Sequence, residues 1–195
     1  MMSTPAQPRH LNHLEMVHAP GERSLAIRAM ELLGGRLSVS TAGTPIALDI
    51  GSELIGRFPH DNAVYVSEIT PDQWAFEQSL RDTLLADARL RELHEGYLAN
   101  VRSQPQRSFH FGIRFETLEA LEDRVDAINR ASGDPDLKGR LAISGVYSPG
   151  TYTTSMTQAF VWTDIIASGL LLMGQHIELQ WRLPVPAPEE APQVV

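Results

Sequence analysis

The chain has 195 residues, 43% of them hydrophobic, which is enough for one compact domain or two small halves around a sizeable core. Its 16 basic residues against 24 acidic ones give a net charge of −8, which argues against a nucleic-acid footprint and against attraction to an anionic membrane surface. It has no cysteine, so a disulfide framework and thiolate chemistry are excluded. The opening MMSTPAQPRH has no apolar core of a signal peptide, and the longest apolar stretch, 165–174, is too short to span a bilayer, so a soluble cytoplasmic protein is expected.

Residues 1–9 carry two prolines and little to bury, and read as a loose tail. From His10 to Val17 the chain alternates: Leu14 and Met16 share one strand face, with His13, Glu15 and Val17 on the other. Residues 21–33 place Leu25, Ala26, Ala29, Met30, Leu32 and Leu33 on a helical stripe, and Gly34-Gly35 stops it as a C-terminal cap would. Three short strands are expected over 36–40, 45–50 and 62–69, with Gly43, Gly51 and Pro59 in the turns. Pro71 opens a stretch rich in Leu, Ala, Arg and Glu, which predicts one or two connecting helices up to Pro105.

The second part repeats this order. Phe109, Phe111, Ile113 and Phe115 alternate with His110, Gly112 and Arg114, so a half-buried strand has one greasy face and one carrying a histidine and an arginine. Thr117 is a plausible N-cap, and Leu118, Leu121, Val125 and Ile128 give the next segment, 117–131, an amphipathic helical pattern. After the turn-rich SGDPDLKG, strands are expected over 140–147, 159–163 and 175–183. In the last of these His176, Glu178, Gln180 and Arg182 share one face, and Ile177, Leu179, Trp181 and Leu183 the other. The remaining PVPAPEEAPQVV is a proline-rich acidic tail. The expected organisation is a first βαβββ module over 10–70, a helical connector over 71–106, a second βαβββ module over 107–184, and tails at 1–9 and 185–195.

This doubled order, with the stretches LNHLEMVHAPGERSLAIRAMELLGGRL, FHFGIRFETLEAL and HIELQW, resembles the vicinal oxygen chelate superfamily of glyoxalases, bleomycin-resistance proteins and extradiol ring-cleaving dioxygenases. The resemblance covers residues 10–183. It implies an α+β fold in which two βαβββ modules form a curved, cup-shaped sheet with the helices outside and a metal inside. It also implies a homodimer. Carried onto this chain, the metal positions fall on His13, His110 and Glu178. Two imidazoles and a carboxylate suit a divalent first-row metal, and leave open positions as in Fe(II) oxygenases; Mn(II) or Zn(II) would be the alternatives. The resemblance therefore implies a metal-dependent oxidoreductase, an extradiol-type dioxygenase acting on an aromatic vicinal diol. A metal-dependent isomerase or lyase, or a metal-free small-molecule-binding protein of the resistance type, is the alternative.

The sequence departs from the family in two places. Pairing Asn62-Ala-Val-Tyr with Gln175-His-Ile-Glu puts Tyr65 where a fourth ligand would stand, and a phenol titrating near 10 is a poor ligand for Zn or Ni. Glu68 would restore that ligand only through a register slip that also flips its face. The stretch 164–174 is longer than the tight turn usual before the last glutamate. Besides Tyr65, His176 is expected as a general acid/base or as a partner of the metal ligands, with an exposed strand-end histidine as the plain alternative. Arg114 is expected to pair a substrate carboxylate or enolate, with a salt bridge to Glu15 as the plain alternative. His10, His18, His60 and His94 read as surface or core-edge residues and Trp162 and Trp181 as core. Tyr147 and Tyr152 read as packing rings, with donation to a bound oxygen ligand as the alternative. No separate organic cofactor site is indicated.

Overall fold

The structure, a computed structural model, describes residues 13–39, 45–49, 63–151 and 153–183. His10, His60, Tyr152 and both expected tails lie outside the described residues.

Alternating side chains produce the first strand, β1 (His13–His18), in which Met16 is sealed while His13 and Glu15 stay exposed. Helix α1 (Arg23–Leu32) buries Ala26, Ala29 and Met30 against it. It ends where Gly34 takes φ +101° and the Gly35 N–H donates back to the Met30 carbonyl at 3.0 Å. Glycine is required at 34 twice over, since a Cβ there would also meet the Phe115 ring at 3.1 Å. Strands β2 (Arg36–Val39), β3 (Ile46–Asp49) and β4 (Ala63–Glu68) follow.

The connector is two helices, α2 (Pro71–Ala86) and α3 (Ala88–Ser103). Thr70 Oγ1 accepts the Gln73 N–H to start the first, and Asp87 accepts the N–H groups of Arg89 and Leu90 to start the second. Little of the connector is buried: Leu85 is 61% exposed, α3 buries no residue, and α2 buries only Glu77. The helices pack on each other and touch the sheets mainly near their outer ends, where Trp74 joins Ile69, Ala167 and Leu171.

The second set begins with β5 (His110–Arg114), one residue later than the alternation suggests, because Phe109 lies outside the ladder and is 76% exposed. Thr117 caps α4 (Leu118–Ala131) by accepting the Ala120 N–H at 3.1 Å, and the helix buries Leu121 and Ile128. Strands β6 (Leu141–Tyr147), β7 (Met156–Thr163), β8 (Ile166–Ala167) and β9 (Gln175–Arg182) complete the chain. The long stretch before the last strand is thus not loop alone: it contains β8 and a 3-10 turn at Leu171–Met173.

Among the described residues the result is an α+β protein with four helices and two four-stranded mixed sheets, neither closed nor strongly curled. The first runs β2-β3-β4-β1 and the second β6-β7-β9-β5; β1 and β4 are parallel, as are β5 and β9. β8 adds to the first sheet by pairing antiparallel with β1, Val17 opposite Ala167 and His18 opposite Ile166. Met16 and Ile113 sit in a core that also takes in Met30, Leu121, Ile128 and Leu179, and Leu14 and Phe111 pack against it. Burying each such aliphatic side chain stabilises the fold by roughly 1.5–3 kcal/mol. Ion pairs cross between the halves: Arg140 forks onto both oxygens of Glu22 at 2.6 and 3.0 Å and reaches Asp164 at 2.8 Å, and Arg28 pairs with Asp134 and Asp136. No helix is long and apolar enough to cross a membrane among the described residues.

Candidate functional site

One face of the second sheet packs on α4; the other carries its polar groups. The alternation of β9 puts His176, Glu178 and Gln180 on that second face, and the ladder sets Trp162 beside His176, Phe160 beside Glu178 and Gln158 beside Gln180. On the far side of β9, His110 stands beside His176 and Gly112 beside Glu178. Phe160 is 0% exposed, with the His110 ring edge-on to it at 5.2 Å and Tyr147 at 6.0 Å. The absent side chain at Gly112 makes room for its neighbours, since a Cβ there would lie 2.9 Å from Gln180 Nε2 and 3.5 Å from Glu178 Oε2.

His110 and Glu178 come together. His110 Nε2 lies 3.5 Å from Glu178 Oε2, too long for a good hydrogen bond. His110 Nδ1 is 2.8 Å from the Ser108 carbonyl, which only accepts, so Nδ1 carries a proton and, in the neutral tautomer, the lone pair is at Nε2. Glu178 Oε1 accepts from Gln158 Nε2 at 2.7 Å, leaving Oε2 as the oxygen facing His110. Two acceptors thus face each other across a gap, a pairing that calls for a proton, a cation or a ligand with donors between them.

His176 is 0% exposed, so the exposed strand-end alternative is corrected. Its Nδ1 lies 2.9 Å from Ser108 Oγ and its Nε2 2.8 Å from Ser144 Oγ. The Ser108 hydroxyl gives its one proton to the Pro105 carbonyl at 2.6 Å, so it accepts from His176 Nδ1–H, and the Ser144 hydroxyl must donate to Nε2. Burial, and then the charges of His110 and Arg102, hold the His176 pKa down at about 4. The Arg102 guanidinium, at the end of α3, lies 3.8 Å above the Trp162 ring. Trp162 is buried, as expected, and stands beside His176 on that face.

His13 does not join this pair. It is exposed on β1, in the other sheet, with its ring edge-on to Tyr65 at 5.5 Å. Among the described residues no three His, Asp or Glu side chains are grouped so as to hold a metal ion. The outer edge of β1 is paired with β8 and not with β5, so the backbone ladder brings no residue of β1 beside His110. Tyr65 is half-buried; the registers His13–Ala63 and His110–His176 give it the place in the first sheet that Glu178 has in the second. Arg114 is exposed on the edge strand β5, four residues and roughly 13 Å along from His110. Glu15 accepts from Ser67 Oγ at 2.9 Å, and Glu68 accepts the Gly21 N–H at 3.1 Å, which ties it to a turn. His18, expected at the surface or core edge, is 1% exposed, and its Nδ1–H donates to the Ala19 carbonyl.

Sequence reasoning missed Ser108, Ser144, Gln158 and Arg102. Phe160 lay inside the expected strand, but that strand began at Ala159, three residues after the observed start at Met156, and so left out Gln158. Nothing local marks Ser108 or Ser144, because both act through a histidine far away in the chain. No family model, curated protein or solved structure matches this chain.

Proposed function

We propose that the chain is a two-module protein of the vicinal oxygen chelate kind that binds a small vicinal diol on the polar face of its second sheet. The observation that carries this reading is the His110–Glu178 pair: an imidazole Nε2 and a carboxylate oxygen 3.5 Å apart, with the other imidazole nitrogen already donating to the Ser108 carbonyl. Neighbouring hydroxyls on adjacent carbons present two donors at a similar spacing, one for the imidazole lone pair and one for the carboxylate. Hydrogen bonds to a charged acceptor contribute about 1.5–3 kcal/mol, so Glu178 supplies most of the recognition. Gln158 and the Ser108 carbonyl hold the two acceptors in place. The aromatic character of the diol, the cup formed jointly by the two sheets and the dimer are what the resemblance adds.

The second reading is the extradiol-type dioxygenase, with Fe(II) favoured over Mn(II) or Zn(II), and one observation favours it. A histidine whose Nδ1–H is tied to a carbonyl presents Nε2 as metal ligands do. Two donors about 2.1 Å from one ion and 3.5 Å apart subtend roughly 110°, an acceptable ligand angle. Among the described residues His13, His110 and Glu178 are not grouped so as to hold one ion. No reaction step is therefore routed through a metal.

Calorimetry with 1,2-dihydroxybenzene tests the proposal. Binding should weaken at least about tenfold with the 1,3 isomer, in Glu178→Gln and in His110→Ala, the loss of one good hydrogen bond. Equal affinity for both isomers, or no binding at millimolar ligand, refutes it. Metal analysis of protein purified without oxygen separates the two readings: stoichiometric iron lost in Glu178→Gln selects the dioxygenase, and metal-free protein that still binds the 1,2-diol selects the binding protein.

A further inference from the structure

A second chain of hydrogen bonds runs through His176 and shares Ser108 with the diol pair. His176 is fixed at both ends, by Ser108 beside β5 and by Ser144 on β6, the opposite edge strand of the same sheet. Every proton in the chain has a single allowed direction: Ser144 Oγ–H to His176 Nε2, His176 Nδ1–H to Ser108 Oγ, and Ser108 Oγ–H to the Pro105 carbonyl. A hydroxyl donating to the lone pair of a neutral imidazole, whose other nitrogen is anchored by a third group, is the geometry of an activated nucleophile with its base and orienting residue. Ser144 has no partner in the β6–β7 ladder, because the register shifts between Ile143 and Gly145. Such a bulge re-aims a side chain out of the regular pleat. Next to it, the Tyr147 hydroxyl lies where a Cβ on Gly145 would be, 2.7 Å away, so only glycine at 145 admits that phenol beside Ser144. Ser144 is half-buried, whereas its base is sealed.

We propose that Ser144 is an acyl-accepting nucleophile toward small carboxylic esters, with His176 as its base and Ser108 as the positioning residue of that base. In the first step Ser144 Oγ forms a bond to the ester carbonyl carbon while its proton passes to His176 Nε2. The carbon–oxygen bond to the alcohol then breaks, and the alcohol oxygen takes that proton. Water repeats the sequence on the acyl-serine: it gives a proton to Nε2 as it attacks, Ser144 leaves and recovers the proton, and the carboxylic acid is released.

The test is labelling of the folded full-length chain with a fluorophosphonate probe, read by intact mass and peptide mapping. One adduct is expected, on Ser144, absent when the chain is labelled in urea. Ser144→Ala should take no label. Ser108→Ala should slow labelling at least tenfold with unchanged thermal midpoint, and Ser108→Thr, which keeps the hydroxyl, should restore the rate. No adduct on the folded protein, an adduct elsewhere, labelling in urea at the same rate, or full reactivity in Ser108→Ala each overturns the proposal. Because wild-type protein alone answers the first question, a variant that fails to fold does not rescue it.

Discussion

Lowering the pH should unfold this protein through His176 more than through any exposed histidine. In the folded state burial, followed by the charges of His110 and Arg102, holds its pKa at about 4, against 6.5 for an ordinary histidine. Below pH 6.5 the unfolded chain takes up a proton that the folded chain refuses until about pH 4. The stability is therefore complete above 6.5 and is lost as the pH falls toward 4. The full gap corresponds to roughly 3 kcal/mol, and most of it is already lost at pH 5; allowing for solvent screening near the half-exposed His110, the loss expected there is about 1–2 kcal/mol. Urea unfolding at about pH 7.5 and about pH 5 measures it, for wild type and for His176→Gln, which keeps hydrogen-bonding groups but no titration. His110, Glu178 and the other titrating groups contribute to both proteins and largely cancel in the difference. Wild type should lose about 1–2 kcal/mol more than the variant between the two pH values, with little change in the denaturant slope. Equal losses, or a His176 ring that titrates near 6.5 by NMR, would refute the buried-neutral assignment.

Gly174 takes φ +63°, and a Cβ there would lie 2.7 Å from the Trp162 ring, so Gly174→Ala should cost about 1–3 kcal/mol and lower the thermal midpoint by several degrees; an unchanged midpoint contradicts the packing. Arg140→Ala cuts the ties to both Glu22 and Asp164 at once; with all three side chains about a third exposed, the loss should be about 1–2 kcal/mol, and chemical denaturation showing no loss would make these pairs ornamental. Isomerisation of the methylglyoxal–glutathione adduct should be absent or very weak, because Tyr65 stands where the fourth carboxylate would; robust turnover by the purified protein would contradict that.

The strand–helix order of both halves was legible because its signals are local. The alternation of Phe111 and Ile113 with His110 and Gly112, the Thr117 cap and the Gly34-Gly35 stop each act within a few residues, and each is where the pattern puts it. The connector's helical character was equally local, but its exposure was not: leucine periodicity marks a helix without saying whether anything covers it. β8 escaped notice because two residues carry no period, and its pairing with β1 depends on where the rest of the chain delivers it. The site divides the same way. Alternation put His110 and Glu178 on polar faces, and the ladder brings them together. His13 has the same alternation and is not grouped with them, because face is a property of one strand, whereas convergence depends on how two sheets meet. The serines that fix His176 were beyond reach for a related reason: a β-bulge and a span across the strands leave no trace in spacing.

β8 also decides what happens if the two halves are separated. It belongs by sequence to the second half and by hydrogen bonding to the first, where it covers one end of β1 at Val17 and His18. A fragment ending after α3 would keep β1 through β4 yet lose that cover, together with the Arg140 fork on Glu22. Its bare strand edge would then be open to pairing with another copy, the usual route to swapped dimers and aggregates. The repeated architecture thus invites cutting the chain at the connector, while the borrowed strand makes each half a poor protein by itself. Complementation by two co-expressed halves should succeed where either half alone precipitates.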